Sequence, residues 1–195
     1  MTTKVVFVDV DGPLVPIRAY VLPNRLGGTV KTMDPVAVAA VASICVAAGA
    51  KIVVSSSWAI WGKEKCLGWF QENGFDLGLV HEDWATPRKL PSGADRSAEI
   101  KAWLAAHPEI THFAVIEDGH LDVPNLVRTT THDGLLLEHQ RALSSLLGIK
   151  DDRHHPVHGG CHHEWRGRGD GSYECLRCGI PAYPGDPHCP WTFNV

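Results

Sequence analysis

Two aspartates one residue apart, Asp9 and Asp11, follow the apolar run Val5-Val6-Phe7-Val8 and precede Gly12-Pro13-Leu14. The run is β-branched and aromatic, which predicts a buried strand. Strand alternation, carried on to the aspartates, turns both to the same side. Gly12 and Pro13 then break the strand. Two carboxylates therefore converge at the C-terminal edge of a buried strand, where open α/β sheets hold their ligands. Unit charges about 4 Å apart repel by roughly 4 kcal/mol at an effective dielectric near 20. Loop aspartates splaying into water avoid that cost. A bound hard cation offsets it, and one carboxylate can then attack an electrophile while the other moves protons.

Two later stretches carry compatible chemistry. Lys51-Ile-Val-Val54 reads as a strand and runs into Ser55-Ser56-Ser57-Trp58. Hydroxyls at a strand end are common in turns; with the backbone N–H groups that open the next helix they also suit an anionic phosphate. His112-Phe-Ala-Val-Ile116 is a further strand, ending in Glu117-Asp118-Gly119 and followed by Asp122. Several acids at one sheet edge are frustrated without a cation, so oxygen ligation of a hard metal follows from electrostatics, with Mg²⁺ the default.

Asp9-Val10-Asp11-Gly12-Pro13-Leu14 resembles the first motif of the haloacid dehalogenase (HAD) superfamily of phosphohydrolases. The resemblance implies that Asp9 is the nucleophile and Asp11 the general acid/base. Ser-Ser-Trp resembles the second motif, with Ser56 the first choice for holding phosphate and Ser57 the next. Arg96-Ser-Ala-Glu-Ile-Lys-Ala-Trp-Leu104 resembles the helix that supplies the family's cation. Arg96 fits that role best, with Lys101 and Lys89 as alternatives. Asp118 and Asp122 match the family's last acidic spacing, with Glu117 in place of the usual first aspartate. The implied Mg²⁺ set is Asp9, Asp11 (through its backbone carbonyl), Asp118 and Asp122. Thr131-His-Asp-Gly-Leu-Leu-Leu-Glu-His139 is similar to a segment of the HAD domains of Swiss Army Knife RNA-repair proteins. The resemblance runs from residue 4 to about 148.

The elements that must position these residues read as alternating strands and helices. Asp34-Pro35 starts a helix, through an N-cap and a proline at the first helical position, and Gly49 stops it. A helix over 60–73 containing Trp61, a short strand over 77–80, a loop over 82–94, a helix from about Asp95 to Ala106, a short strand at Leu126-Val127 and an amphipathic helix over 135–147 complete the series. The expected fold is α/β: a HAD-like Rossmannoid, mainly parallel sheet with helices on both faces. Residues 13–34 form a minimal cap insertion within a domain of residues 1–149. Arg18, Tyr20 and Arg25 of that insertion either meet substrate or are solvated loop residues.

Composition sets the bounds. The chain has 195 residues, of which 44% are hydrophobic, enough for a packed core. A net charge of −4 argues against a broad basic face for duplex nucleic acid. No apolar run approaches a membrane span, and the first residues lack the pattern of a secretory signal. The expected location is cytoplasmic, without membrane contact. Cys45 and Cys66 lie in apolar helical surroundings and read as core thiols.

Residues 150–195 differ in character. Apolar periodicity disappears, and four of the six cysteines and six of the twelve histidines fall here. Cys161-x-His163 and Cys175-x-x-Cys178-Gly179 make two ligand pairs of tetrahedral Zn²⁺ spacing, and a structural metal replaces the missing core. The segment looks like a small zinc ribbon. His158, His162, His188 and Cys189 are spare ligands. Arg166, Arg168 and Arg177 with Trp165 and Tyr173 can contact phosphates and bases. Five Lys/Arg against six Asp/Glu leave the segment at −1, which suits protein docking equally well.

The expected activity is a Mg²⁺-dependent phosphatase working through an aspartyl-phosphate on a nucleotide or a nucleic-acid terminal phosphate. The alternatives are a nucleic-acid- or protein-binding module with a weakly active HAD domain, and phosphotransfer to an acceptor other than water.

Overall fold

The structure, a computed structural model, describes residues 3–17, 32–87, 95–149, 165–168, 172–175 and 181–182. The chain divides into two units, residues 1–150 and 151–195.

The first unit is built on β1 (Lys4–Val8), α1 (Pro35–Ala48), β2 (Lys51–Val54), α2 (Lys63–Glu72), β3 (Val80–Ala85), α3 (Arg96–Ala106), β4 (His112–Glu117), β5 (Leu126–Arg128) and α4 (Leu137–Leu146). The five strands form one sheet in the order β3-β2-β1-β4-β5. All four pairings are parallel. This is the expected α/β architecture, with the chain reversing its direction of travel across the sheet beside β1.

Strand alternation assigns the two faces. Val6 and Val8 of β1, Ile52 and Val54 of β2, and Ala114 and Ile116 of β4 pack with residues of α1, α2 and α4. Val5, Phe7, Val53 and Val115 pack on the other face with Ile100 and Trp103 of α3. Val5 to Val8 are almost wholly buried. A fully buried aliphatic or aromatic side chain contributes roughly 1.5–3 kcal/mol, so β1 anchors both layers. Its register aligns the strand ends: Val8 lies opposite Val54 on one side and Ile116 on the other.

Helix α1 begins where Asp34 caps it, accepting from the Val36 N–H at 2.9 Å, and stops at Gly49 in the left-handed region. Three expectations are corrected. The segment expected as one helix over 60–73 is a 3₁₀ turn, Ser57–Trp61, followed by α2. Gly62, at φ 84° and ψ 161°, separates the two and leaves Trp61 outside α2. Leu77–Leu79 is a 3₁₀ turn and not a strand. The strand lies one step later, at Val80–Ala85, in a stretch expected to be loop from 82 onward. His81-Glu-Asp83 hid it, and polar residues of this kind are usual on an edge strand. Its register with β2 shifts between Ile52 and Val54.

Residues 10–15 fold into a tight turn after β1. Leu14 and Val15 both donate to the Val10 carbonyl, at 3.0 and 2.8 Å. The segment after β5 closes on this turn: Ile17 donates to the Thr131 carbonyl at 2.9 Å and Leu135 to the Pro13 carbonyl at 3.2 Å. Most of the cap insertion, residues 18–31 with Arg18, Tyr20 and Arg25, lies outside the described residues.

The second unit contains a three-stranded antiparallel sheet of β6 (Trp165–Gly167), β7 (Tyr173–Cys175) and β8 (Pro181–Ala182), in that order. The zinc-ligand candidates Cys161, His163 and Cys178 lie outside the described residues, as do the spares His158, His162, His188 and Cys189 and the side chain of Cys175. Among the described residues no helix is long and apolar enough to cross a membrane.

Gly134 and Gly49 share a φ of 65°, but a Cβ at Gly134 would sit 2.9 Å from the Pro13 carbonyl and 3.0 Å from the Pro16 ring, whereas at Gly49 it would meet nothing. Alanine at either position carries the left-handed strain of about 1 kcal/mol; at Gly134 it also forces apart the two segments that close the turn. Gly134→Ala is expected to cost at least about 1 kcal/mol more than Gly49→Ala in urea denaturation; equal losses would show that the 13–17 and 131–135 segments are not locked.

Candidate functional site

The register of the sheet brings three strand ends to one edge. Beyond Val8 the Asp9 N–H donates to the Ile116 carbonyl at 3.0 Å, and the Ser55 N–H donates to the Val8 carbonyl at 2.9 Å. The Thr129 N–H does the same to Glu117, also at 2.9 Å. Asp9, Ser55 and Glu117 thus come next in line on β1, β2 and β4. They continue the parity of Phe7, Val53 and Val115, whose side chains pack with α3. Arg96 is the first residue of α3, behind the N-cap Asp95. The side of the sheet that Asp9 faces is therefore the side from which Arg96 arrives.

Arg96 Nη1 donates to Asp9 Oδ1 at 3.0 Å, to Glu117 Oε2 at 3.2 Å and to the Ser55 carbonyl. Asp9 and Glu117 are buried. Asp9, Glu117 and Asp118 each offer a carboxylate oxygen within 4.8 Å of the others. At an effective dielectric near 20, an ion pair 3 Å long attracts by roughly 5 kcal/mol, and two carboxylates at the 4.8 Å upper limit of their spacing here repel by roughly 3.5 kcal/mol. One guanidinium serves a cluster of three acids, and the burial of Asp9 and Glu117 adds to the cost of their charge. Burial pushes the Asp9 carboxyl up, against the pull of the Arg96 guanidinium and a hydrogen bond from Ser56. Glu117 is pushed from 4.5 up to about 8, by burial first and by the Asp9 charge second. Arg96 itself is held more firmly protonated by Asp9 and Glu117, although burial works the other way.

This donor set fits a hard divalent cation. It is all oxygen, it is packed closely enough for one ion, and three carboxylates with one guanidinium leave two negative charges to offset.

The other candidates have more varied surroundings. Ser56 is buried, caps the 3₁₀ turn and hydrogen-bonds toward Asp9. Ser57 is exposed at the start of that turn. Strand alternation does not reach Asp11, because β1 ends at Val8. Asp11 is exposed, and its Oδ2 accepts from Trp58 Nε1 at 2.9 Å. Lys101 and Asp122 are not brought to the cluster. They pair with each other at 2.9 Å, with side chains 53% and 98% exposed. The Asp122 N–H instead donates to Ser97 Oγ at 3.0 Å, tying that loop to the start of α3. Lys89 lies outside the described residues.

Three contacts here were not legible in the residue types. Thr131 Oγ1 donates to Asp118 Oδ2 at 2.6 Å, which orients that carboxylate. Gly12, at φ 94°, leaves room for the same carboxylate, which a Cβ would strike. Trp58 reaches Asp11. The Gly-Leu segment after Thr131 and the Trp after the serines were visible as motif residues, but no spacing says whom they touch. Glu117, which stands in place of the family's usual first aspartate, is a full member of the acidic cluster.

Residues 5–140 match the family described as the HAD domain in Swiss Army Knife RNA repair proteins. The chain belongs to this family, and a HAD domain points to a phosphatase acting on a phosphorylated substrate. No curated protein and no solved structure matches it.

A raised acid has a definite effect on stability. The unfolded Glu117 titrates near 4.5 and the folded one near 8 in the metal-free protein. The stability associated with neutral Glu117 is present in full below 4.5 and is lost as pH rises through about 8. Metal-free Glu117→Gln is therefore expected to match the parent in Tm near pH 4.5 and to exceed it at pH 8. A Tm difference that does not change with pH would show that Glu117 is not held neutral by its surroundings.

Proposed function

Starting from that family membership, we propose that the protein is a Mg²⁺-dependent phosphomonoesterase whose nucleophile is Asp9. The observation that carries this reading is the three-way contact of Arg96 with Asp9, Glu117 and the Ser55 carbonyl, with Asp118 beside it at the C-terminal edge of the sheet. A nucleophilic carboxylate has to stay ionised although buried, and Arg96 opposes the effect of burial on Asp9.

In the reaction an Asp9 oxygen attacks phosphorus in line with the ester bond, and an aspartyl-phosphate forms as that bond breaks. Asp11 gives a proton to the departing oxygen. It then takes one from the water that attacks the aspartyl-phosphate and frees Asp9. Arg96 and the Ser56 hydroxyl steady the phosphoryl oxygens. Asp9, Glu117 and Asp118, with the Asp11 backbone carbonyl, would hold the Mg²⁺, which when bound supplies positive charge against the phosphoryl group.

The substrate class we infer is a nucleotide or a nucleic-acid terminal phosphate. The family's description as part of RNA repair proteins supports it, as does the brevity of the insertion over residues 13–34, which leaves room for a large substrate. Asp9→Asn is expected to keep its fold by circular dichroism and to lose turnover of an aryl phosphate by on the order of 10³-fold or more. Full activity in that variant would sink the mechanism. A panel of mononucleotides and of 3′- and 5′-phosphorylated oligonucleotides, assayed with Mg²⁺ and again with chelator, decides the substrate class.

The second unit we propose to be a structural zinc module, held by Cys161, His163, Cys175 and Cys178. The pair spacing supports it. So does the lie of the short strands, with β6 directly after the first pair and β7 ending at Cys175. Three strands of two or three residues offer little core, and zinc binding on the order of 10 kcal/mol would replace it. One equivalent of zinc is expected by metal analysis of protein purified without chelator, falling to none in Cys175→Ser/Cys178→Ser; no zinc in the parent would refute the module.

A further inference from the structure

The chemistry assigned to Asp11 sets a geometric problem. Asp11 is exposed, and an exposed aspartate turns freely about its side-chain bonds. A general acid has to keep one oxygen aimed at the departing group. Among the described residues its one side-chain hydrogen bond is the one from Trp58 Nε1 to Oδ2, at 2.9 Å.

Trp58 is built to hold still. Its side chain is 2% exposed and belongs to the core on the α1, α2 and α4 face. Trp69 of α2 packs edge-on against it, with ring centroids 5.2 Å apart and planes at 78°. Its backbone N–H meets Ser56 Oγ, so the same residue touches the strand end that carries the phosphate-binding candidate. Core packing alone would be served by phenylalanine or leucine. Indole adds a rigid N–H at the polar margin of the core, and that N–H meets the carboxylate.

An indole N–H donates and never accepts. Oδ2 is therefore always an acceptor in this contact and cannot hand its own proton to Trp58. We propose that Trp58 is a positioning residue for the proton-transfer step: its indole N–H pins Oδ2 of Asp11 and leaves Oδ1 as the oxygen that serves the leaving group. This rests on the reading of Asp11 as the general acid. In the first half-reaction the phosphorus–ester oxygen bond breaks, its electron pair stays on the ester oxygen, and that oxygen takes the proton from Oδ1. In the second, water adds to phosphorus, the bond to the Asp9 oxygen breaks, and the water's proton returns to Oδ1. Trp58 holds Oδ2 through both and exchanges no proton.

The dependence of rate on leaving group separates this role from a packing role. A p-nitrophenolate leaves without help, whereas an alkoxide needs its proton. With Mg²⁺ saturating, kcat/KM is measured for p-nitrophenyl phosphate and for a simple alkyl phosphate. Trp58→Phe is expected to lose on the order of 10-fold more on the alkyl ester than on the aryl ester. Asp11→Asn should show the same bias, larger. Trp69→Phe, which disturbs the packing but keeps the indole N–H of Trp58, should show no bias. Equal losses on both esters in Trp58→Phe, with the bias present in Asp11→Asn, would overturn the positioning role alone. Absence of the bias in Asp11→Asn would overturn the reading of Asp11 itself. If Trp58→Phe does not fold, replacing Trp58 by β-benzothienylalanine keeps the ring shape and puts sulfur where the N–H was, and the same two outcomes apply.

Discussion

The ionic contact of Arg96 with Asp9 and Glu117 is the interaction on which the rest of the site depends. Asp9 is nearly closed to water, and burial alone would drive its carboxyl toward the neutral form. A guanidinium 3.0 Å away resists that. It does so from the first residue of a helix, so its position is set by the Asp95 cap and by the packing of Ile100 and Trp103 on the sheet, and not by a flexible loop. The same cation reaches Glu117 on the neighbouring strand. One side chain thereby ties β1 and β4 to α3 at the point where the charges are densest.

That tie leaves the cluster short of positive charge. Glu117 carries the imbalance, standing near 8 instead of 4.5. Burial and the Asp9 charge favour a protonated Glu117 in the metal-free protein, whereas the three ionised carboxylates together make a set that could bind a divalent cation. Thr131 and Gly12 fix Asp118, one through a hydrogen bond and the other by leaving space. Both lie in the two segments that lock against each other through Pro13, Gly134 and Leu135. Support for the site therefore comes from backbone closure as well as from side-chain charge.

Around this, the two aspartates of the opening motif have separate surroundings. Asp9 is buried among charges; Asp11 is exposed and rests on a core tryptophan. The chain reaches this by ending β1 at Val8 and turning at once, so residues two apart no longer share a strand face. In the roles proposed above, the buried aspartate would have a fixed counter-charge as nucleophile and the exposed one access to solvent as proton carrier.

Local pattern determined a good deal. Apolar runs of four or five residues ended by acids or serines named the strands and their C-terminal ends, because burial and turn chemistry leave direct marks on residue type. Asp34-Pro35 and Gly49 marked α1 for the same reason. Asp9, Ser56, Arg96 and Asp118 were legible through the resemblance of their motifs. What sequence could not decide was who meets whom. Lys101 and Arg96 sit on one helix five residues apart, yet only Arg96 reaches Asp9, because only the helix start lies over the strand ends. Asp118 and Asp122 share a motif, yet only Asp118 joins the cluster: the Asp122 backbone is held at Ser97, and its exposed side chain pairs with Lys101 instead. The edge strand β3 was hidden by its polar residues, and the break at Gly62 by the helical look of its flanks. These are questions of register and crossover, settled by contacts between residues far apart in the chain, and such contacts leave no periodicity in the sequence that makes them.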